Sequence, residues 1–197
     1  MIEAKKRTPP HTVNIAVTGH RSVPDSATLQ SAIRQVLHNI LDDHRRKEVC
    51  LYSALAEGGD QLVASIAQEF KSLNLYVPLP MAVEKYLENF SSIESRKNFQ
   101  DLLASAVEII PLSPSCIEPS AYEQLGQYLT QKGDILIALW NGVYNNKPGG
   151  TSEVVKGALK SKKPVYWLYS PNQAVGAINN LSEQKQIGEF EILEPNC

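Results

Sequence analysis

The run Ile135-Leu136-Ile137-Ala138-Leu139-Trp140 is unbroken by any polar side chain, and no other stretch constrains the fold as strongly. A strand with one wet face alternates apolar and polar residues, so a continuous apolar run needs cover on both faces. At six residues it is far short of the ~20 needed to cross a bilayer. It therefore reads as a central strand of a sheet with a helical layer on each side.

The rest of the chain supplies the layers. Val13 to Thr18, Val49 to Ala54, Leu75 to Leu79, Val107 to Pro111 and Val165 to Tyr169 are short apolar runs that read as strands. Pro78 suits a sheet edge or a strand end, because it has no N–H for a ladder. Between the runs lie amphipathic stretches. From about Asp25 to Arg46, residues Leu29, Ile33, Leu37 and Leu41 form one helical face. After Asp60, a candidate helix cap, the residues Leu62, Val63, Ile66 and Phe70 form another. Residues 83–106 read as one or two helices with a Phe99, Leu102, Leu103 and Ala106 stripe. Further helices are expected around Tyr122, Leu125 and Leu129 and from Thr151 to Ser161. Alternating strands and helices predict an α/β fold: a three-layer, doubly wound, mainly parallel sheet with right-handed crossovers.

The expected organisation is a flexible segment at 1–12, one domain over 13–170 and a tail at 171–197, read as a helix plus an extended end. With 19 basic against 21 acidic residues the net charge is −2, so bulk attraction to nucleic acid is not expected. Lys5-Lys6-Arg7, ahead of Pro9-Pro10, reads as a solvated tail. Cys50, Cys116 and Cys197 have neither pairing nor metal-ligand spacing, which points to a reducing compartment. With no signal-type apolar segment and no spanning run, the expectation is a cytoplasmic protein without membrane contact.

In such sheets, ligands bind beyond the carboxyl ends of the strands. Three turns fall there. Thr18-Gly19-His20-Arg21 follows the first strand; its glycine permits a tight turn, and Arg21 can grip a phosphate or carboxylate. Ala56-Glu57-Gly58-Gly59-Asp60 follows the second; its glycines would present N–H groups at a helix start. Asp60 is either a structural cap or a contact for a ribose hydroxyl. Pro148-Gly149-Gly150-Thr151-Ser152-Glu153 opens the last helix, offering N–H and O–H donors to an anion. It can equally be a capped helix start, with Gly150 or Thr151 as cap and Glu153 as a first-turn acid. Trp140 reads as core, pocket wall or a plane for a base.

These turns, with the strand from Asp134 to Trp140 and the following Asn141-Gly142, resemble the SLOG superfamily. This Rossmann-like group contains DNA-processing protein A and the LOG phosphoribohydrolases. The likeness runs from about Val13 to Tyr169 and is nearest to bacterial branches with TGHR and GGTxE turns. It implies a sheet of 3-2-1-4-5 order, often a homodimer, and a site for a nucleotide or nucleotide-derived ligand, with no metal or cofactor. Some branches sense nucleotides; the LOG branch cleaves the N-glycosidic bond of nucleoside monophosphates. The resemblance makes Arg21, Gly149, Gly150 and Thr151 phosphate ligands and places Gly58, Gly59 and Asp60 on the sugar side.

The chain departs from the LOG pattern in ways that bear on catalysis. The turn lacks that pattern's third glycine, and only Ser152 separates Thr151 from Glu153. The stretch Tyr122 to Lys132 has no arginine, where LOG enzymes carry an Arg-Lys pair. Asn141 stands where related chains commonly carry Asp. Glu153 is the candidate catalytic carboxylate, with Glu57 or Asp60 as a second. The leading expectation is a ligand-binding sensor or regulator, with a nucleotide N-glycosidase as the alternative.

Overall fold

A computed structural model of the chain describes residues 12–112, 120–145, 147–179 and 185–194. Lys5-Lys6-Arg7, Cys116, Cys197 and the Pro- and Ser-rich segment with Pro114 and Pro119 lie outside the described residues.

The elements follow one another as β1 (Thr12–Gly19), α1 (Ala27–Asp43), β2 (Glu48–Tyr52), α2 (Gly59–Ala67), β3 (Leu73–Leu79), α3 (Val83–Leu87), α4 (Ile93–Ala104), β4 (Glu108–Pro111), α5 (Ser120–Lys132), β5 (Ile135–Trp140), α6 (Thr151–Lys160), β6 (Val165–Tyr169) and β7 (Phe190–Leu193). The strands form one sheet in the order β4-β3-β2-β1-β5-β6-β7. All neighbours pair in parallel except β6 and β7. Its centre, β3-β2-β1-β5-β6, is the expected 3-2-1-4-5 arrangement, and β4 and β7 extend it at either edge.

The unbroken apolar run becomes β5, paired with β1 on one side and β6 on the other and buried at every residue. One core packs α1, α2 and α4 on one face of the sheet, with Ile15, Val17, Leu51, Val77, Ile137 and Leu139 pointing into it. A second packs α5 and α6 on the opposite face against Ala16, Leu136, Ala138 and Trp140. The three-layer doubly wound architecture follows from these two cores.

Local details refine the pattern-based expectation, and some depart from it. In α1, Ser26 caps the helix by accepting from the Leu29 N–H, and Val36 and Ile40 complete the buried face while Leu41 is only half covered. A rotation of 100° per residue brings Val36 and Ile40 onto the stripe begun at Leu29 and Ile33. The span 83–106 holds two helices, α3 and α4. Pro78 sits one residue before the end of β3, which is no edge because β4 lies beside it. The tail was expected to carry a helix; among the described residues it instead contributes β7, antiparallel to β6.

The strand order reverses at β1 and β5. Chain from β1 leads to β2 on one side, while chain from β5 leads to β6 on the other. Their carboxyl ends therefore open a crevice, at Thr18-Gly19 and at Trp140-Asn141, bridged where the His20 N–H donates to the Leu139 carbonyl at 3.1 Å.

Candidate functional site

A cavity of about 470 Å³ opens at this crevice. The first turn lines it with Thr18, Gly19, His20 and Arg21, and the third with Gly149, Gly150, Thr151 and Ser152. Ala56 and Asp60 are the contribution of the second turn. Leu125, Leu129, Tyr122 and Val154 provide an apolar wall, and Asn145, Lys147, Asn172 and Ala174 close the mouth.

Arg21 is exposed at the rim. Its guanidinium donates to the Tyr122 hydroxyl at 2.8 Å and to the Asn89 carbonyl at 3.4 Å. The same group lies 5.3 Å from the Tyr122 ring centre, within cation–π range. The aromatic ring thus holds the charge at the cavity edge. His20 is turned inward: its Nε2 accepts the Asn141 N–H at 3.1 Å, which leaves the proton of the neutral ring on Nδ1. Burial lowers its pKa from the ordinary histidine value, and the Asn141 side chain acts in the opposite direction.

The second turn differs from the expected anion cradle. The Gly59 N–H donates to the His20 carbonyl at 2.9 Å and the Gln61 N–H to the Ala56 carbonyl, so these donors are used inside the protein. Gly58, at φ +89°, is the cap of α2, and a Cβ there would lie 2.3 Å from the Arg21 carbonyl oxygen. The glycines let two turns pack backbone to backbone. Glu57 points away, its carboxylate accepting from the Ser91 N–H and hydroxyl.

Asp60 is not the helix cap, because α2 begins at Gly59. It lies on the cavity floor, only 6 % exposed. Burial pushes its carboxyl up to about 7; the Arg21 charge and hydrogen bonds from the Ala56 and Gly19 backbone act in the opposite direction.

At the third turn, Gly149 has φ +67° and lies against the α5 backbone, with a built Cβ 2.4 Å from the Tyr122 carbonyl carbon. Gly150 is the cap of α6. Thr151 and Ser152 then occupy the first two helical positions, where a helix has no acceptor of its own for their N–H groups. Ser152 is buried and its hydroxyl ties down Asn145, accepting from that residue's N–H and meeting its side-chain oxygen at 2.9 Å. Glu153 faces elsewhere. Its carboxylate lies 3.8 Å from Lys156 Nζ, in an adjoining groove of about 530 Å³ between α5 and α6 that shares Gly126, Pro148, Gly149 and Val154 with the cavity.

Trp140 is core, 1 % exposed, with Nε1 donating to the Val143 carbonyl and its ring packed on Tyr144 and Trp167. Asn141 and Gly142 also stand outside the cavity lining. Asn141 is a buried tie: its Oδ1 accepts from the Val143 N–H, and its Nδ2 donates to the Ile178 carbonyl and to Asn179 Oδ1.

Sequence reasoning missed Lys147, Tyr122, Asn172 and Ala174 as lining residues. Lys147 adjoins the glycine turn and was within reach of that reading. Asn172 and Ala174 come from a stretch without periodicity and left no signal. Among the described residues no group of three or more His, Cys, Asp or Glu side chains is placed to hold a metal, and no helix is long and apolar enough to cross a membrane.

No protein-family model matches the chain, and no curated protein matches it. Among solved structures it is similar to DNA processing protein A (DprA) from Streptococcus pneumoniae, with a TM-score of 0.53 at 13% sequence identity. That match covers 84% of this chain and 52% of DprA, so the chain spans about half of the DprA length. The structure of TM1055, a structural genomics target, aligns with a TM-score of 0.45 and 13% identity over 78% of this chain and 72% of that one. At 13% identity the DprA likeness is one of fold. The chain thus carries the Rossmann-like fold seen in DNA processing protein A.

Proposed function

We propose that the chain binds a nucleotide or nucleotide-derived ligand in the cavity at the carboxyl strand ends, as a sensor or regulatory domain. The observation that carries this reading is that the cavity lining combines two chemistries. Arg21, Lys147 and the opening N–H groups of α6 are a combination suited to phosphate. Leu125, Leu129 and Val154 add apolar lining suited to a base. Its volume, about 470 Å³, falls within the range of small-molecule sites.

The hydrolytic alternative needs a carboxylate against the sugar. Of the three candidate carboxylates Asp60 lines the cavity, while Glu153 lies in the α5–α6 groove and Glu57 is held by Ser91; one buried carboxyl in place of the usual pair favours binding. Titration calorimetry with nucleoside mono- and diphosphates tests the reading. Arg21→Ala should weaken binding by ~1.5–3 kcal/mol, the value of a charge-assisted hydrogen bond, and no free base should accumulate. Absence of binding across the series would reject it.

A further inference from the structure

We propose that anion binding in this cavity is coupled to protonation of Asp60, which then meets the ligand as a neutral acid donating a hydrogen bond; this rests on the nucleotide-binding reading above.

Asp60 lines the cavity yet is more than nine-tenths buried. The titratable and charged groups that line the cavity with it are His20 and Arg21 from the β1 turn, Tyr86 of α3, Tyr122 of α5 and Lys147 ahead of α6. His20 brings no positive charge, because burial favours its neutral form. Lys147 is exposed to solvent, where screening weakens its pull. Arg21 is the charge that favours the Asp60 carboxylate, and it is also the group an incoming phosphate would engage.

A phosphate beside Arg21 would offset that charge and add a second anion to a poorly hydrated site. Two neighbouring anions in such a site do not both remain ionised. Burial already holds the Asp60 carboxyl at about 7, so a modest further push protonates it at neutral pH. The proton comes from solvent, and no other bond changes. By linkage, affinity should then fall up to about tenfold per pH unit above about pH 7.

The test is calorimetry of AMP, and of sulfate in parallel, at about pH 8 in two buffers of different ionisation enthalpy. Sulfate keeps a constant charge in this range. Wild type should take up close to one more proton per AMP than Asp60→Asn, and the variant should bind AMP about tenfold more tightly. In the unliganded wild-type fold, Arg21→Met should raise the Asp60 titration midpoint seen by carboxyl NMR. AMP binding without the extra proton, weaker binding by Asp60→Asn or an unmoved midpoint in Arg21→Met would each overturn the coupling and leave the nucleotide reading standing. Failure of both AMP and sulfate to bind would overturn the two together.

Discussion

Gly19 and Gly59 face each other so closely that a Cβ built on either would lie 2.9 Å from the Cα of the other. The first two turns at the carboxyl strand ends are therefore one interlocked piece of backbone, fastened by the bond from the Gly59 N–H to the His20 carbonyl. What looks in sequence like two glycine loops open to a ligand is a joint that sets the position of Arg21 and Asp60.

Gly59→Ala should force the turns apart and cost ~1–3 kcal/mol, as overpacking does. Gly58→Ala should cost more, since it adds a positive φ to a contact of 2.3 Å with the Arg21 carbonyl oxygen. Urea denaturation should show lower midpoints with an unchanged slope for both. Wild-type midpoints would show that the joint yields without cost.

The layers of the fold were legible because burial on two faces leaves a direct mark: Ile135 to Trp140 cannot be a half-wet strand. The candidate cavity was legible in outline, since Arg21 and the Gly149-to-Ser152 turn both line it. The side-chain assignments were less so. Glycine signals a close approach without saying what approaches, and at Gly58 and Gly59 the neighbour is the protein's own backbone. Gln61 shows the same limit: it is 4 % exposed and links α2 to α4 through Ser95 and Asn98, a pairing that spans 34 and 37 residues and has no local signature. β7 was missed because Phe190 to Leu193 is short, half exposed and identified only by its partner β6.

Asp60 should make stability fall as pH rises. Its folded value of about 7 lies above the ordinary aspartate value of 3.8, so the folded state keeps the proton longer than the unfolded one. The penalty is absent below about pH 4, grows towards pH 7 and is complete above it. A shift of this size corresponds to about 4 kcal/mol at most. Asp60→Asn, near-isosteric and uncharged, should remove that slope and be more stable than wild type at about pH 8. Parallel stability curves for the two proteins would contradict the assignment.

Glu153 is the carboxylate that motif position nominates for catalysis, and its place beside Lys156 argues otherwise. At 100° per residue, the single residue between Thr151 and Glu153 carries the carboxylate off the face that Thr151 presents to the cavity. Glu153→Gln should leave the fold and nucleotide affinity unchanged, with stability within ~0.5 kcal/mol as for other surface changes. Base release by wild type that disappears in Glu153→Gln would restore the enzymatic reading.

The contact between His20 and Asn141 carries the last prediction. The His20 Nε2 accepts from the Asn141 backbone, while the Asn141 side chain holds Ile178 and Asn179. Asn179 in turn accepts from the Asn172 N–H and donates to its carbonyl. Asn172 and Ala174 line the cavity mouth, so one chain of bonds joins the cavity floor to its rim. The folded His20 pKa lies below the ordinary histidine value of 6.5. Stability from this contact is therefore present above that value and is lost as pH falls beneath it, when Nε2 gains a proton and ceases to accept. Amide exchange in 172–179, corrected for its intrinsic pH dependence, should rise as pH falls below the ordinary histidine value and through the lowered His20 pKa. Asn141→Ala should show raised exchange already at neutral pH and lose ~1–3 kcal/mol through unsatisfied buried groups. His20→Gln offers a carbonyl acceptor that does not titrate, so it should keep the segment protected in acid. Equal deprotection of wild type and His20→Gln in acid would show that the rim is held independently of His20.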